Sequence, residues 1–211
     1  MDGYIKKTSH IVFTTNSGLE VSIRPLDPEH DLLTKEQIFG ETDGDPQAAF
    51  ECISNDYHDH INIHDHPTFF WAITNNNQTI GFLDYSKPNK ELKELTICEN
   101  FKNEAIAVRC IYLTKAYQNM GIGSAACDIT TDLLMTAAKK SDSDFLILTT
   151  KYGENTTSMK LTKQTDGWQL LSTVDKVNRR NLEEKTWHTF GLDCKNYHKK
   201  QTIPPYTVIN F

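Results

Sequence analysis

Apolar and polar residues alternate with a period of two in several short stretches, which is typical of half-buried strands. The clearest example covers residues 68–74 and 78–86, and the three asparagines between them are turn residues. A second alternating pair covers residues 10–15 and 19–24. The pattern therefore predicts two hairpins in the first half of the chain.

The middle of the chain has a different period. Apolar residues recur there at spacings of three and four, at Ile122, Ala126, Ile129, Leu133 and Ala137. This spacing predicts an amphipathic helix that ends near the run 141–144. Apolar runs at 105–113 and 145–148 flank it, so a strand, a helix and a strand follow one another and imply a parallel crossover.

Other segments are predicted with less periodicity to support them. Helices are expected at 31–39, 47–57 and 154–163, and strands at 168–174 and 186–192. The segment 87–103 is charged and fits no single element. The tail after Cys194 contains Pro204 and Pro205 and is expected to lie on the surface.

A short glycine turn joins the strand at 105–113 to the predicted helix. It reads Gln118, Asn119, Met120, Gly121, Ile122, Gly123. Such a turn can aim successive backbone N–H groups at one anion, the helix dipole adds positive potential, and glycine lets the anion approach. The alternative is an ordinary strand-to-helix connection. A third glycine is missing, which disfavours a dinucleotide site, and no Gly-Lys-Ser/Thr follows, which excludes a Walker loop.

Composition narrows the class of protein. The chain has 211 residues, 38% of them hydrophobic and 24% charged, which predicts one folded domain, 1–211. The net charge of −6 argues against nucleic acid as a partner and mildly favours a cationic one. The five cysteines form no CxxC pair and are interpreted as core thiols in a reducing compartment. With no signal-like start and no membrane-length apolar run, we expect a cytoplasmic protein that contacts no membrane.

A histidine-rich segment covers residues 55–66. His58, His60, His64 and His66 would project to one side of an extended chain, which is compatible with zinc. Their spacing matches no established metal motif, so a solvated loop is the favoured interpretation and no metal is expected.

Taken together, these elements resemble the GCN5-related N-acetyltransferase (GNAT) family, from about Val21 to Leu192. The family signature (Gln/Arg)-x-x-Gly-x-(Gly/Ala) is matched by Gln118, Gly121 and Gly123. Further matches are the first strand at 22–26, Asn155 after the strand at 145–148, the Gly167-Trp168 pair and the last strand at 186–188.

The resemblance implies an α/β fold. It consists of a mixed, mostly antiparallel sheet of about seven strands, splayed in the middle and flanked by about four helices. The core would cover about 19–193, and 194–211 would be a C-terminal tail.

The resemblance also implies that acetyl-CoA is the donor and that it lies in the splay. Its pantetheine arm would pair with the backbone of one strand end, and its pyrophosphate would lie on the glycine turn. The implied binding residues are Ile111, Tyr112, Leu113, Gln118, Asn119, Met120, Gly121, Ile122, Gly123, Ser124 and Asn155. The reaction would be a direct attack of a neutral amine on the thioester, which needs a base and often an acid.

The sequence departs from the family at both proton-transfer positions. The tyrosine acid is replaced by Thr162, and the glutamate base by Ala107. Tyr152, Tyr117 or water could act as the acid. Glu104 and Asp84 are the nearby carboxylates. Proton removal through water or by a residue of the histidine-rich segment is a further alternative.

The acceptor is expected to be a small-molecule or peptide amine. Asp56, Asp59, His60 and His64 could orient it, because the segment after the first two helices borders the acceptor cleft in the resembled fold. The protein is expected to be a monomer or a homodimer. Two alternatives stay open: a CoA-binding protein that senses or scaffolds without turnover, and a metal-dependent protein that uses the histidine-rich segment.

Overall fold

The computed structural model describes residues 9–27, 31, 69–86, 105–140, 146–152, 167–177, 184–199 and 201–210. These residues contain nine strands, one α-helix and two short 3₁₀-helices. The predicted helices at 31–39, 47–57 and 154–163, the histidine-rich segment and the segment 87–103 lie outside the described residues, except for Asp31. Contacts divide the chain into two compact units, and each is described separately.

The first unit comprises residues 1–85, 110–130 and 202–211. Its strands follow the order β9-β1-β2-β3-β4-β5, in which the recorded pairs from β9 to β4 are antiparallel. The bounds are β1 Ser9–Thr14, β2 Glu20–Pro25, β3 Phe69–Asn75, β4 Gln78–Ser86, β5 Ala105–Leu113 and β9 Tyr206–Asn210.

The alternating pattern places every second residue of the first hairpin in the core. Ile11 and Phe13 of β1 are buried, as are Val21 and Ile23 of β2, whereas Glu20, the first residue of β2, is exposed. Burial of these apolar side chains is the main stabilising contribution of a half-buried sheet. Both predicted hairpins are confirmed, with strand ends within one residue of the expected positions.

The turn of the second hairpin requires a backbone conformation that asparagine tolerates. Asn76 and Asn77 have φ values of 49° and 62° between the paired residues Asn75 and Gln78. Two successive residues with positive φ form the turn that matches the right-handed twist of a hairpin. Asparagine tolerates this left-handed conformation better than other residues with a Cβ.

The second unit comprises residues 86–109 and 131–201. Its strand order is β5-β6-β8-β7, with β6 Leu146–Tyr152, β7 Gln169–Val177 and β8 Glu184–Asp193. The β5–β6 pair is parallel and joins Ala105–Val108 to Leu146–Thr149, whereas β6–β8 and β7–β8 are antiparallel. The predicted parallel crossover is therefore confirmed.

Helix α1, Ile122–Lys140, is the helix of that crossover. Ile122, Ala126 and Ile129 are buried as the spacing predicts. Further along, Leu134 and Met135 are buried whereas the predicted Leu133 is only half-buried. Thr130, Thr131 and Asp132 are buried as well, so the buried surface of the helix is broader after Ile129 than one amphipathic stripe.

A buried carboxylate anchors the second half of α1 within the second unit. Asp132 is 2% exposed, accepts a hydrogen bond of 2.9 Å from the Tyr197 hydroxyl and lies 2.8 Å from Lys199 Nζ. Lys139 donates to the Tyr197 carbonyl oxygen over 2.6 Å. These contacts hold the segment after β8 against the helix.

The C-terminal tail differs from the prediction. The tail after Cys194 was expected to lie on the surface, and no strand was predicted in it, but residues 206–210 form β9, which pairs with β1 from Ser9↔Asn210 to Phe13↔Tyr206. Pro204 and Pro205 precede the strand and therefore do not interrupt its hydrogen bonds. The surface position is correct in part, since Val208 and Ile209 are 37% and 40% exposed while Ile203 is buried.

The predicted fold class is confirmed: helix and sheet are mixed, and most strand pairs are antiparallel. Among the described residues the sheet has nine strands, and β9 and β1 lie at one edge of it.

Candidate functional site

The end of β5 is held by its neighbour β4. Thr114 N donates to Ile80 O over 2.9 Å just after the strand ends. Gly81 permits this close approach, because a Cβ at that position would overlap the Tyr112 carbonyl oxygen and lie 2.8 Å from Leu113 Cδ2. A glycine inside a strand often marks such a close backbone approach.

Internal hydrogen bonds fix the turn that follows. Lys115–Tyr117 form a 3₁₀-helix, in which Tyr117 N donates to Thr114 O and Gln118 N to Lys115 O, over 2.9 and 3.2 Å. The Gln118 side chain donates from Nε2 to Leu113 O over 2.8 Å. Gln118 was predicted to contact pyrophosphate; in this structure both its backbone N–H and its side chain stabilise the turn itself.

After Gln118 the backbone N–H groups have no internal acceptor. The first hydrogen bond at the start of α1 is donated by Ala125 N to Gly121 O over 3.0 Å. In the described part of the chain, no group accepts from the six N–H groups of Asn119 to Ser124. Positive φ values at Asn119 (60°) and Gly121 (76°) turn the backbone here. Six successive free N–H groups at a helix N-terminus form a site for an anion.

The two glycines of the turn have different roles. Gly121 has the left-handed conformation that favours glycine, and open space surrounds its missing side chain. Gly123 has no positive φ, and a Cβ there would lie 3.4 Å from Leu113 Cδ1 and 3.5 Å from Ile111 Cδ1. These are ordinary contact distances, so the protein itself leaves room for a methyl group at Gly123.

These features agree with the comparison to known families. The family model of the acetyltransferase (GNAT) family matches residues 30–167, which include the glycine turn. This match covers well over half of the chain. The chain belongs to the GNAT acetyltransferase family. No curated protein is significantly similar to it in sequence.

Solved structures of this family share the fold. Mycobacterium smegmatis RimJ in complex with CoA-disulfide is 13% identical with a TM-score of 0.59, covering 90% of this chain and 89% of RimJ. A chimera of the spermidine N-acetyltransferase SpeG from Vibrio cholerae and hSSAT is 13% identical with a TM-score of 0.58. The match covers 83% of this chain and 96% of the chimera. Arabidopsis thaliana NAA60 in complex with a bisubstrate analogue is 13% identical with a TM-score of 0.58, and the match covers 82% of this chain and 97% of NAA60. At this identity the likeness establishes the fold alone.

The remaining residues predicted to bind acetyl-CoA in this GNAT protein follow one another along β5. Tyr112 is buried, and Ile111 and Leu113 are half-buried. All three lie beyond the recorded β5–β6 pairing, which ends at Val108. Asn155, also predicted to contact the donor, lies outside the described residues.

The predicted catalytic and acceptor residues are only partly placed. Asp84 is a backbone position of β4 opposite Phe70, in the first unit. Tyr152 is the last residue of β6 and pairs with Trp187 in the second unit. Glu104, Asp56, Asp59, His60 and His64 lie outside the described residues.

A buried ion pair that the sequence analysis missed holds the chain where it leaves β2. Arg24 of β2 makes two hydrogen bonds to Asp31, with NH1 to Oδ2 at 2.6 Å and NH2 to Oδ1 at 2.7 Å. Asp31 is fully buried and also accepts from Asp27 N and Thr79 Oγ1, each over 2.6 Å. The sequence predicts a helix that begins at Asp31, because residue spacing alone does not reveal the hydrogen-bonding partners of this carboxylate.

Electrostatics around this pair favour the ionised carboxylate. Burial raises the pKa of Asp31, but the hydrogen bonds from Arg24, Thr79 and Asp27 and the charge of Arg24 together bring it below its usual value. Burial and then the charge of Arg24 lower the pKa of His10. Arg24 thus contributes to lowering the pKa of both Asp31 and His10.

Two further findings concern the described ranges only. No group of three or more His, Cys, Asp or Glu residues there has a geometry that could hold a metal ion. No helix among them is long and apolar enough to span a bilayer.

Proposed function

We propose that this GNAT protein transfers the acetyl group of acetyl-CoA to a primary amine. The observation that carries the proposal is the set of six successive free N–H groups from Asn119 to Ser124. Their number and position suit the pyrophosphate of CoA, because a diphosphate presents several acceptor oxygens to one helix N-terminus. The Gln118 side chain stabilises the turn through its hydrogen bond to Leu113 O.

The strand end next to the turn suits the remainder of the donor. Residues 111–113 continue past the last recorded β5–β6 pair, and their peptide groups would bond the pantetheine amides. Gly81 keeps β4 close to this strand end. The donor would then lie along β5 and over the turn.

Chemistry follows by direct attack in a ternary complex. The amine nitrogen forms a bond to the thioester carbonyl carbon, the C–S bond breaks, and one proton must leave the nitrogen. We keep Tyr152 as a candidate acid and Glu104 and Asp84 as candidate carboxylates for this step. Thr162 and Ala107, at the family's acid and base positions, do not supply these groups.

The acceptor class is the least specified part. The structural neighbours include a chimera of a spermidine N-acetyltransferase and a ribosomal L7/L12 α-N-protein acetyltransferase. Together with the net charge of −6, they suggest a polyamine or a peptide α-amine, oriented by Asp56, Asp59, His60 and His64. We propose a cytoplasmic protein with one functional domain over 1–211, active as a monomer or homodimer.

The proposed test is an acetyl transfer assay with acetyl-CoA and an amine panel of spermidine, a lysine peptide and a peptide with a free α-amine. Thiol release and mass spectrometry would detect CoA and a product heavier by one acetyl group. Transfer to at least one amine supports the proposal. Tight acetyl-CoA binding without transfer to any of these amines would instead favour a sensor or scaffold protein. That second candidate function is favoured by Thr162 and Ala107, which replace the family's acid and base.

A further inference from the structure

Strand β9 is the last strand at one edge of the sheet. It pairs with β1 on one side, and among the described residues no strand lies on its other side. Along an antiparallel edge strand, every second residue directs its N–H and C=O groups away from its neighbour. These groups and the exposed side chains of Val208 and Ile209 form a surface to which a further strand can add.

An apolar row crosses the first unit and ends at this edge. The strand registers align four residues directly opposite one another in β3, β2, β1 and β9, namely Ile73, Ile23, Ile11 and Val208. Directly opposed residues lie on the same face of a sheet. The three isoleucines are at most 2% exposed, whereas Val208 is 37% exposed. The core of this unit therefore continues as far as β9, where its last side chain is uncovered.

The two strands at this edge carry no charged side chain at neutral pH. Residues 9–14 and 206–210 contain no Asp, Glu, Lys or Arg, although 24% of the chain is charged and its net charge is −6. His10 is directly opposite Ile209, and burial and then the charge of Arg24 lower its pKa from 6.5, so it is mostly neutral at pH 7. A second copy of this acidic chain can approach here without direct like-charge repulsion.

The other edge strand of the sheet, β7 in the second unit, shows how this chain protects an exposed strand. The β7–β8 register shifts between Leu170 and Ser172, and Asp175 and Lys176 lie on β7. Bulges and charged residues are usual devices that stop an edge strand from pairing with another chain. Strand β9 has neither, since it pairs with β1 in one continuous register and its five residues are uncharged.

We infer that β9 pairs with β9 of a second copy of this chain, across a twofold axis at Val208. An antiparallel pair of identical strands is self-complementary, because the axis gives both copies the same contacts. Val208 is the middle residue of β9, so this axis pairs all five residues and places Thr207 opposite Ile209 of the second copy. The apolar row of one copy then continues into that of the other, and Val208 becomes covered.

A second β9 suits this edge better than β7 of another molecule. Pairing of β9 with β7 would be heterologous, and its repetition would build a ring or an open chain of sheets. The bulge and the charges of β7 also oppose it. Pairing of β9 with itself closes after two copies and covers both β9 edges. This association does not depend on the proposed acetyl transfer.

Sedimentation velocity of the full chain tests the pairing. Interfaces of ordinary size have Kd values from μM to pM, so wild type at about 100 μM should sediment as a dimer. Val208→Lys should raise the dimer Kd at least about 100-fold, because two like charges would face each other across the axis. Val174→Lys, the same substitution at an exposed valine of β7, should leave the dimer intact.

Two further variants separate loss of the contact from loss of the fold. Val208→Glu should also be monomeric alone, but an equal mixture with Val208→Lys should form a dimer, because the axis places residue 208 opposite its own copy. Misfolded chains would not be restored by mixing. Thr207→Lys places the charge on the opposite, exposed face of β9 and should weaken the dimer as well. Circular dichroism checks the fold of each variant.

The same measurements can overturn the proposal. Monomeric wild type at about 100 μM would do so, which is the result expected if another segment or a different partner covers β9. A dimer that both Val208→Lys and Thr207→Lys leave intact would also contradict it, as would folded residue-208 variants that stay monomeric when mixed. Assemblies larger than a dimer that Val174→Lys dissociates would indicate β9–β7 pairing instead. None of these results affects acetyl transfer, which is measured separately with the amine panel.

Discussion

A single carboxylate, Asp31, shows how one residue can fix a chain segment. It joins the guanidinium of Arg24, the hydroxyl of Thr79 and the N–H of Asp27 while being fully buried. A buried charge is tolerated because these donors replace the water that it loses.

Asp31→Asn should therefore destabilise the protein strongly. The variant leaves Arg24 without a charged partner, and breaking such a pair typically costs about 3–5 kcal/mol. Because the Arg24 side chain is 21% exposed, we expect about 2–3 kcal/mol after solvent screening. Chemical denaturation measures the change, with Glu20→Gln on the exposed end of β2 as the control, expected within about 0.5 kcal/mol of wild type. A loss as small as that of the control would refute the anchoring role.

The same carboxylate predicts a dependence on pH. Its pKa is lowered in the folded state from an ordinary value of 3.8, so the unfolded chain takes up the proton first on acidification. The stability that Asp31 supplies is complete above pH 3.8 and is lost as the pH falls through the lower folded value. The difference in free energy of unfolding between wild type and Asp31→Asn should thus shrink below pH 3.8. A difference that is constant with pH would contradict this.

At the scale of elements, the contact between β4 and β5 is set by the missing side chain of Gly81. Gly81→Ala would drive a methyl group into the Tyr112 carbonyl oxygen, which belongs to backbone and cannot rotate away. We expect a loss of about 1–3 kcal/mol and a weaker affinity for acetyl-CoA, because residues 111–113 must shift.

A matched alanine substitution controls for this effect. Gly123→Ala adds the same methyl group against flexible side chains 3.4 and 3.5 Å away, in a helix where alanine is favoured. Its free energy of unfolding should equal or exceed that of wild type. Equal stability of the two alanine variants would show that Gly81 does not limit the approach of the strands.

Elements with strong local signals could be predicted from the sequence. Strand β4 and strand β5 begin and end at the predicted residues, because turn residues or a helical pattern bound them. Strand β9 was missed, since it is short, follows two prolines and is fixed by pairing with the distant β1. The Arg24–Asp31 pair was missed because residue spacing along β2 does not reveal a hydrogen-bonding partner beyond the end of the strand.

At the scale of the whole molecule, the family follows from the order of elements and the glycine turn, and the family match over 30–167 confirms it. The glycine turn could be predicted because its glycines and the helix that follows it are local features of the sequence. Side chains that move protons or select an amine depend on tertiary contacts that local spacing does not encode. For the same reason, the hydrogen bond from the Gln118 side chain to Leu113 O could not be predicted.

The most direct measurement is a calorimetric titration of acetyl-CoA into wild type, Gly123→Ala and Gly123→Glu. A glutamate near the start of α1 suits the helix dipole, so the fold should survive, but its charge and bulk would oppose a pyrophosphate on residues 119–124. Wild type and Gly123→Ala should bind with similar affinity, and Gly123→Glu at least about 100-fold more weakly, since opposed like charges cost several kcal/mol. Unchanged affinity in folded Gly123→Glu, or no binding by wild type, would contradict the account.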